Sequence, residues 1–169
     1  ISGESAETKT LYGIGGGATD TFGRQCLIAR RMAEAGVRFI ELSHGNWDHH
    51  RNLTNGLETN CGQTDLPIAG LLADLKRRDL LKDTLVLFTT EFGRTPFAQS
   101  AADQVGEGRD HNKYGFSVWL AGAGLKAGTA FGSTDEVGWK AAENPVQWYD
   151  FHATVLHLMG LDHEKLTFY

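Results

Sequence analysis

The residues able to do chemistry gather in three short segments. His44-Gly45-Asn46-Trp47-Asp48-His49-His50 sets one carboxylate and three imidazoles within seven residues, and a mixture of carboxylate and imidazole suits zinc, manganese or iron. Glu91 opens a second segment, Glu91-Phe92-Gly93-Arg94-Thr95, and Gly108-Arg109-Asp110-His111-Asn112 forms a third. The expected ligands of a divalent metal, zinc or manganese with calcium as a further candidate, are Asp48, His50, Glu91 and His111. Neighbouring side chains of an extended backbone point opposite ways, so His49 and His50 do not both face Asp48. His50 is taken as the ligand. His49 and Asp110 are placed behind the ligands, where a hydrogen bond to the free ring nitrogen of a ligating histidine orients it. Arg94 and Arg109 flank the acids with a planar fork that fits a phosphate or sulfate oxyanion; pairing with Asp or Glu is the structural alternative.

Such groups must be carried by elements that bring them together. Val37-Arg38-Phe39-Ile40-Glu41-Leu42-Ser43 and Thr84-Leu85-Val86-Leu87-Phe88-Thr89-Thr90 are both rich in β-branched and aromatic residues, and each ends just before an acidic segment. Between them Ile68, Leu71, Leu72 and Leu75 recur at helical spacing, which predicts a helix over Asp65 to Leu81. Strand, helix, strand in this order implies a parallel pair with a right-handed crossover, and ligands of such sheets bind beyond the carboxyl ends of the strands. Phe116 to Ala121 supplies a third strand. Helices are expected over about Thr19 to Ala35, stopped by Gly36, and over Gln147 to Met159, stopped by Gly160. The expected fold is therefore a layered α/β/α domain with a mainly parallel sheet.

Long polar loops fill the rest, over His44 to Thr64 and Glu91 to Tyr114, and loops of this length are commonly functional. Residues 1–19 form a flexible lead-in. Gly13-Ile14-Gly15-Gly16-Gly17-Ala18 lacks the preceding strand that a dinucleotide fingerprint needs, so it is expected to be a turn. Lys76-Arg77-Arg78 and Arg30-Arg31 are expected to be solvated helix faces. Trp119 and Trp148 are expected in the core, Cys26 as a buried thiol and Cys61 in a polar loop; no disulfide framework is present with two cysteines.

At 169 residues and 41% hydrophobic content the chain can bury a substantial core. A formal charge of −5 and an isoelectric point near 5.8 leave no basic footprint for nucleic acid. No apolar run approaches the roughly 20 residues of a membrane-crossing helix.

Taken together, Asn46-Trp47-Asp48-His49-His50, Thr84-Leu85-Val86 with Glu91-Phe92-Gly93-Arg94-Thr95-Pro96, Gly108-Arg109-Asp110-His111-Asn112, Gly132-Ser133-Thr134-Asp135-Glu136 and Asp150-Phe151-His152-Ala153-Thr154 resemble a bacterial sulfatase-like family within the alkaline phosphatase superfamily. The resemblance runs from Tyr12 onward. It implies that residues 1–169 correspond to the C-terminal part of a sulfatase-like domain, with the nucleophile upstream of Ile1. It also implies hydrolysis of a sulfate or phosphate ester, small or polymeric, and an exported protein. Two departures stand out. Asp48 and His50 are more closely spaced than in that superfamily, and Phe92 occupies the position of an imidazole. A member that binds metal or a partner without catalysis is the alternative these departures suggest.

Overall fold

The computed structural model describes residues 1–100 and 106–167. Its elements run α1 (Ala6–Leu11), a 3-10 turn (Gly17–Thr19), α2 (Asp20–Glu34), α3 (Leu53–Arg77), β1 (Leu85–Phe88), β2 (Gly93–Ala98), β3 (Arg109–Asn112), β4 (Trp119–Gly122), β5 (Ser133–Thr134), β6 (Ala141–Glu143) and α4 (Trp148–Leu158). The chain divides into two units, one of Ile1–Thr84 with Phe97–Asp110, the other of Leu85–Pro96 with His111–Tyr169.

The first unit is helical. Its lead-in is not a flexible tail: Ser5 caps α1 by accepting the Thr8 amide, and Tyr12 just beyond α1 is fully buried. The Gly13–Ala18 segment is the turn the sequence implies, and Thr19 ties it down by donating its hydroxyl to the Gly13 carbonyl at 2.6 Å. α2 then buries Phe22, Cys26, Leu27 and Ala29. Gly36, at φ +81°, ends it with the Gly36 amide on Ala33 and the Val37 amide on Met32.

α2 and α3 each meet the end of α1 at a glycine. A Cβ on Gly23 would lie 2.1 Å from the Tyr12 carbonyl oxygen, and one on Gly70 2.3 Å from that of Leu11. Backbone thus touches backbone at both places, and no side chain fits between.

α3 is longer than its apolar pattern. Leu71 and Leu75 are buried as the pattern requires, whereas the first half of the helix, Leu53 to Thr64, falls in the expected loop. That half contains Gly56, Gly62 and several Asn and Thr residues, a composition of low helix propensity. What it buries is polar: Asn60 donates its amide to the Asn46 carbonyl at 2.6 Å, and Thr64 donates its hydroxyl back to Asn60.

Within the basic runs Arg30, Arg77 and Arg78 are partners of a buried acid, while Arg31 and Lys76 lie exposed on their helices. Asp74 on α3 is wholly buried and accepts from the Tyr12 hydroxyl at 3.0 Å and from Arg77 and Arg78 at 2.9 Å each. Arg30 on α2, with 3% of its side chain exposed, sets Nε 2.9 Å from Asp74 Oδ2, though off the donor direction, and bonds through its two terminal nitrogens to Glu4 and Glu34. Burial raises the Asp74 carboxyl, but the Arg78, Arg77 and Tyr12 hydrogen bonds outweigh it and hold the group below the usual carboxylate range.

The second unit corrects the expected fold class. β1 pairs with β4 antiparallel, Leu85 opposite Gly122 and Phe88 opposite Trp119, and β5 pairs antiparallel with β6. β2 pairs with β3, so among the described residues the sheets are three, each of two strands. Val37 to Ser43 forms no strand, and Val37 and Phe39 are exposed, Phe39 by 75%. Among the described residues there is no mainly parallel, layered α/β/α sheet. The sequence order is compatible with parallel strands but does not encode strand direction, and β propensity becomes a strand only where a partner completes the ladder. Trp119 and Trp148 are partly exposed rather than core, and Trp119 stacks on Phe88 with ring centres 5.5 Å apart. Among the described residues no helix is long and apolar enough to cross a membrane.

Both cysteines are free. Burial pushes the Cys26 thiol up to about 12, while Cys61 sits half-buried on α3 rather than in a loop. Thiolate is the reactive form. One equivalent of an alkylating reagent is therefore expected on the native protein, at Cys61, with Cys26 reacting only after denaturation; peptide mass spectrometry showing native labelling of Cys26 would contradict this.

Candidate metal centre

The segment that carries Asp48 leaves the helical core at His44. Its ring packs edge-on against Phe22 at 5.3 Å and Trp47 at 5.7 Å, and its Nε2 lies 2.9 Å from Gln63 Oε1. His44 is thus an anchor of the segment. His49 also turns towards α3: a Cβ on Gly56 would lie 2.2 Å from its ring, so the absence of a side chain there makes its room.

His50 faces the other way. Its Nε2 is 2.9 Å from Asp48 Oδ1, and its Nδ1 meets the carbonyl oxygen of the Gln99 side chain. Asp48 is exposed and His50 half-buried. Gly108 presses against the His50 backbone, where a Cβ would come within 2.0 Å of the carbonyl carbon, and the Arg109 amide donates to the His49 carbonyl at 3.0 Å. These contacts fix the loop against the start of β3.

With Gln99 Oε1 as acceptor, Nδ1 carries the hydrogen and Nε2 is the nitrogen turned to Asp48. A lone pair on Nε2 beside a carboxylate oxygen at 2.9 Å is a pair of donors that one cation between them would satisfy. The 2.9 Å separation also matches neighbouring donors around a six-coordinate ion with bonds of about 2.1 Å, which lie roughly 3 Å apart. Gln99 is a residue the sequence did not reveal, for it stands 49 positions from His50 and amides carry no chemical signature of their own.

Glu91 and His111 belong to the second unit. Glu91 follows β1, exposed, and accepts the Thr90 hydroxyl at 2.8 Å. Its own amide, Thr90, Arg94 and His111 together hold its carboxyl below the usual range, so it is an anion at neutral pH. His111, on β3 and exposed, lies against the Phe92 ring with centres 4.1 Å apart. Arg94 sets its guanidinium 5.7 Å from the centre of the same ring. Arg109 and Asp110 begin β3 in the first unit. Within single units, then, Asp48 is brought to His50, and Glu91 shares its surroundings with Arg94 and His111.

A family model described as "Protein of unknown function (DUF1501)" matches residues 1–169. No curated protein and no solved structure matches the chain. The match corrects the resemblance drawn from the motifs: the whole chain is accounted for by this family, and no sulfatase or alkaline phosphatase family matches it.

Proposed function

The chain belongs to the DUF1501 family, whose description names no reaction, and from its own residues we propose a metal-dependent hydrolase of sulfate or phosphate esters. The observation that carries the proposal is the Asp48–His50 pair: Nε2 and Oδ1 face each other at 2.9 Å while Gln99 occupies Nδ1. A hydrogen bond of this kind, from the far nitrogen to a carbonyl, is how ligating histidines are oriented. Nitrogen and oxygen donors at this spacing fit manganese or zinc. Within the second unit by itself, Glu91, kept ionised, and His111 are donors of the same oxygen and nitrogen types. A bound divalent ion supplies a Lewis acid for the ester oxygens and a bound water acidic enough to ionise near neutral pH. Arg94 and Arg109 would meet the negative charge of the transferred group.

A second reading, binding without turnover, has its own support in Phe92, whose ring covers one side of His111. The two are separated by assay. Purified protein is expected to bind about one equivalent of manganese or zinc, read by metal analysis after dialysis, and Asp48→Ala is expected to lower the affinity at least 10-fold, the scale on which support groups alone act. Metal content unchanged by Asp48→Ala would defeat the site. Turnover of aryl phosphate or aryl sulfate esters, abolished by Glu91→Gln, would establish the hydrolase over the binding protein.

A further inference from the structure

We propose that the second unit carries a binding subsite for an uncharged sugar ring, in the cleft between the end of β1 and the first turns of α4. The cleft measures about 520 Å³ and is bounded by Thr89, Thr90, Glu91, Trp148 and His152, within the roughly 300–1,000 Å³ of small-molecule pockets. This inference does not depend on the metal.

The chemistry of the walls selects the occupant by exclusion. No lysine or arginine lines the cleft, so nothing there neutralises a bound phosphate or sulfate. Among the described residues its one formal charge is Glu91, whose carboxylate is already bonded by its own amide and by the Thr90 hydroxyl and is further offset by Arg94 and His111. An organic cation would meet an anion already balanced. What remains is a neutral ligand. The polar groups are two threonine hydroxyls, a carboxylate and an imidazole, so donors and acceptors are both present. Beside them stands Trp148, a residue 39% exposed, and a flat aromatic next to hydroxyl-binding groups matches a sugar, whose ring has an apolar face of C–H groups and an equator of hydroxyls.

Trp148 is held for this role. It starts α4, its ring centre is 5.3 Å from those of both Phe116 and Phe151, and His152 lies one turn on, nearly parallel to it at 5.6 Å. Gln147 and Asp150 close a capping box that sets where the helix begins. Thr90 points its hydroxyl hydrogen at Glu91, which leaves the Thr90 oxygen lone pairs as acceptors.

Saturation-transfer NMR on the chain in EDTA tests the subsite, with glucose, galactose, N-acetylglucosamine and lactose as probes and tetramethylammonium and inorganic phosphate as charged comparators. Transfer is expected to the ring C–H protons of at least one sugar, reduced at least 10-fold in Trp148→Ala and measurably weakened in Thr90→Val, which keeps the fold if the indole variant does not. The proposal is overturned by no transfer to any sugar, by transfer that survives both substitutions, or by preferential binding of either ion. Because metal is absent throughout, failure here leaves the Asp48–His50 site standing, and success does not depend on it.

Discussion

Asp74→Ala is expected to destabilise the first unit by about 3–5 kcal/mol, the loss typical when one member of a buried ion pair is removed. The carboxylate is wholly buried and receives Tyr12, Arg77 and Arg78, with Arg30 at 2.9 Å. Alanine would strand the Arg30 charge, of which 3% of the side chain reaches solvent, with only Glu4 and Glu34 to balance it. The Tyr12 hydroxyl would lose its acceptor as well. Asp74→Asn keeps the shape and some of the hydrogen bonds, so its loss should be smaller. Urea titration followed by circular dichroism measures both, and equal stability of Asp74→Ala and the parent would refute the assignment. The same group gives a pH dependence of definite sign. Its folded pKa lies below the unfolded value of about 3.9, so its contribution is complete above that value and fades as pH falls through the folded pKa. In the alanine variant this acid-dependent component should vanish.

Gly23→Ala should be the next most damaging, at roughly 1–3 kcal/mol, the usual range for forcing atoms into a filled core. In an ordinary helix interior this change would be favourable by up to about 1 kcal/mol. Here the new carbon would stand 2.1 Å from the Tyr12 carbonyl oxygen. Relief requires moving the end of α1, which carries Tyr12 away from Asp74. The two effects are therefore coupled, and a double-mutant cycle of Gly23→Ala with Tyr12→Phe should show less than the sum of the separate losses. Stabilisation by Gly23→Ala in thermal melts would show that the backbones are not in contact.

These two sites illustrate what the chain made legible. α2 and α4 follow from apolar spacing and glycine stops, and Cys26 is buried where its helical phase places it. Gly23 and Gly70 gave no warning, since a glycine within a helical pattern does not announce the backbone that will press on it. Arg30, Arg77 and Arg78 resembled solvated charges because their acid, Asp74, looks like any polar residue of an amphipathic helix. The first half of α3 was hidden for a related reason: its buried face is made of Asn60 and Thr64, and polar burial leaves no hydrophobic period. Strand direction was lost at the same level, because Leu85 to Phe88 reads alike whether its neighbour runs with it or against it. At the site, His49 turns to Gly56 and His50 to Gln99 on a segment that is turned rather than extended, with the His49 amide on Trp47 and the His50 amide on Asp48, and the hold of Gln99 on His50 required the fold.

α3 joins these parts, and Pro67 lies fully buried inside it. Proline brings no amide hydrogen, so the bond that would tie this residue to the Gln63 carbonyl is missing and the ladder is interrupted. In its cooperativity the helix is two segments laid end to end. One answers to the Asp48 loop through Asn60 and Asn46; the other answers to α1 and α2 through Asp74. One backbone rung fewer joins the segment that holds the Asp48 loop to the segment the arginines clamp.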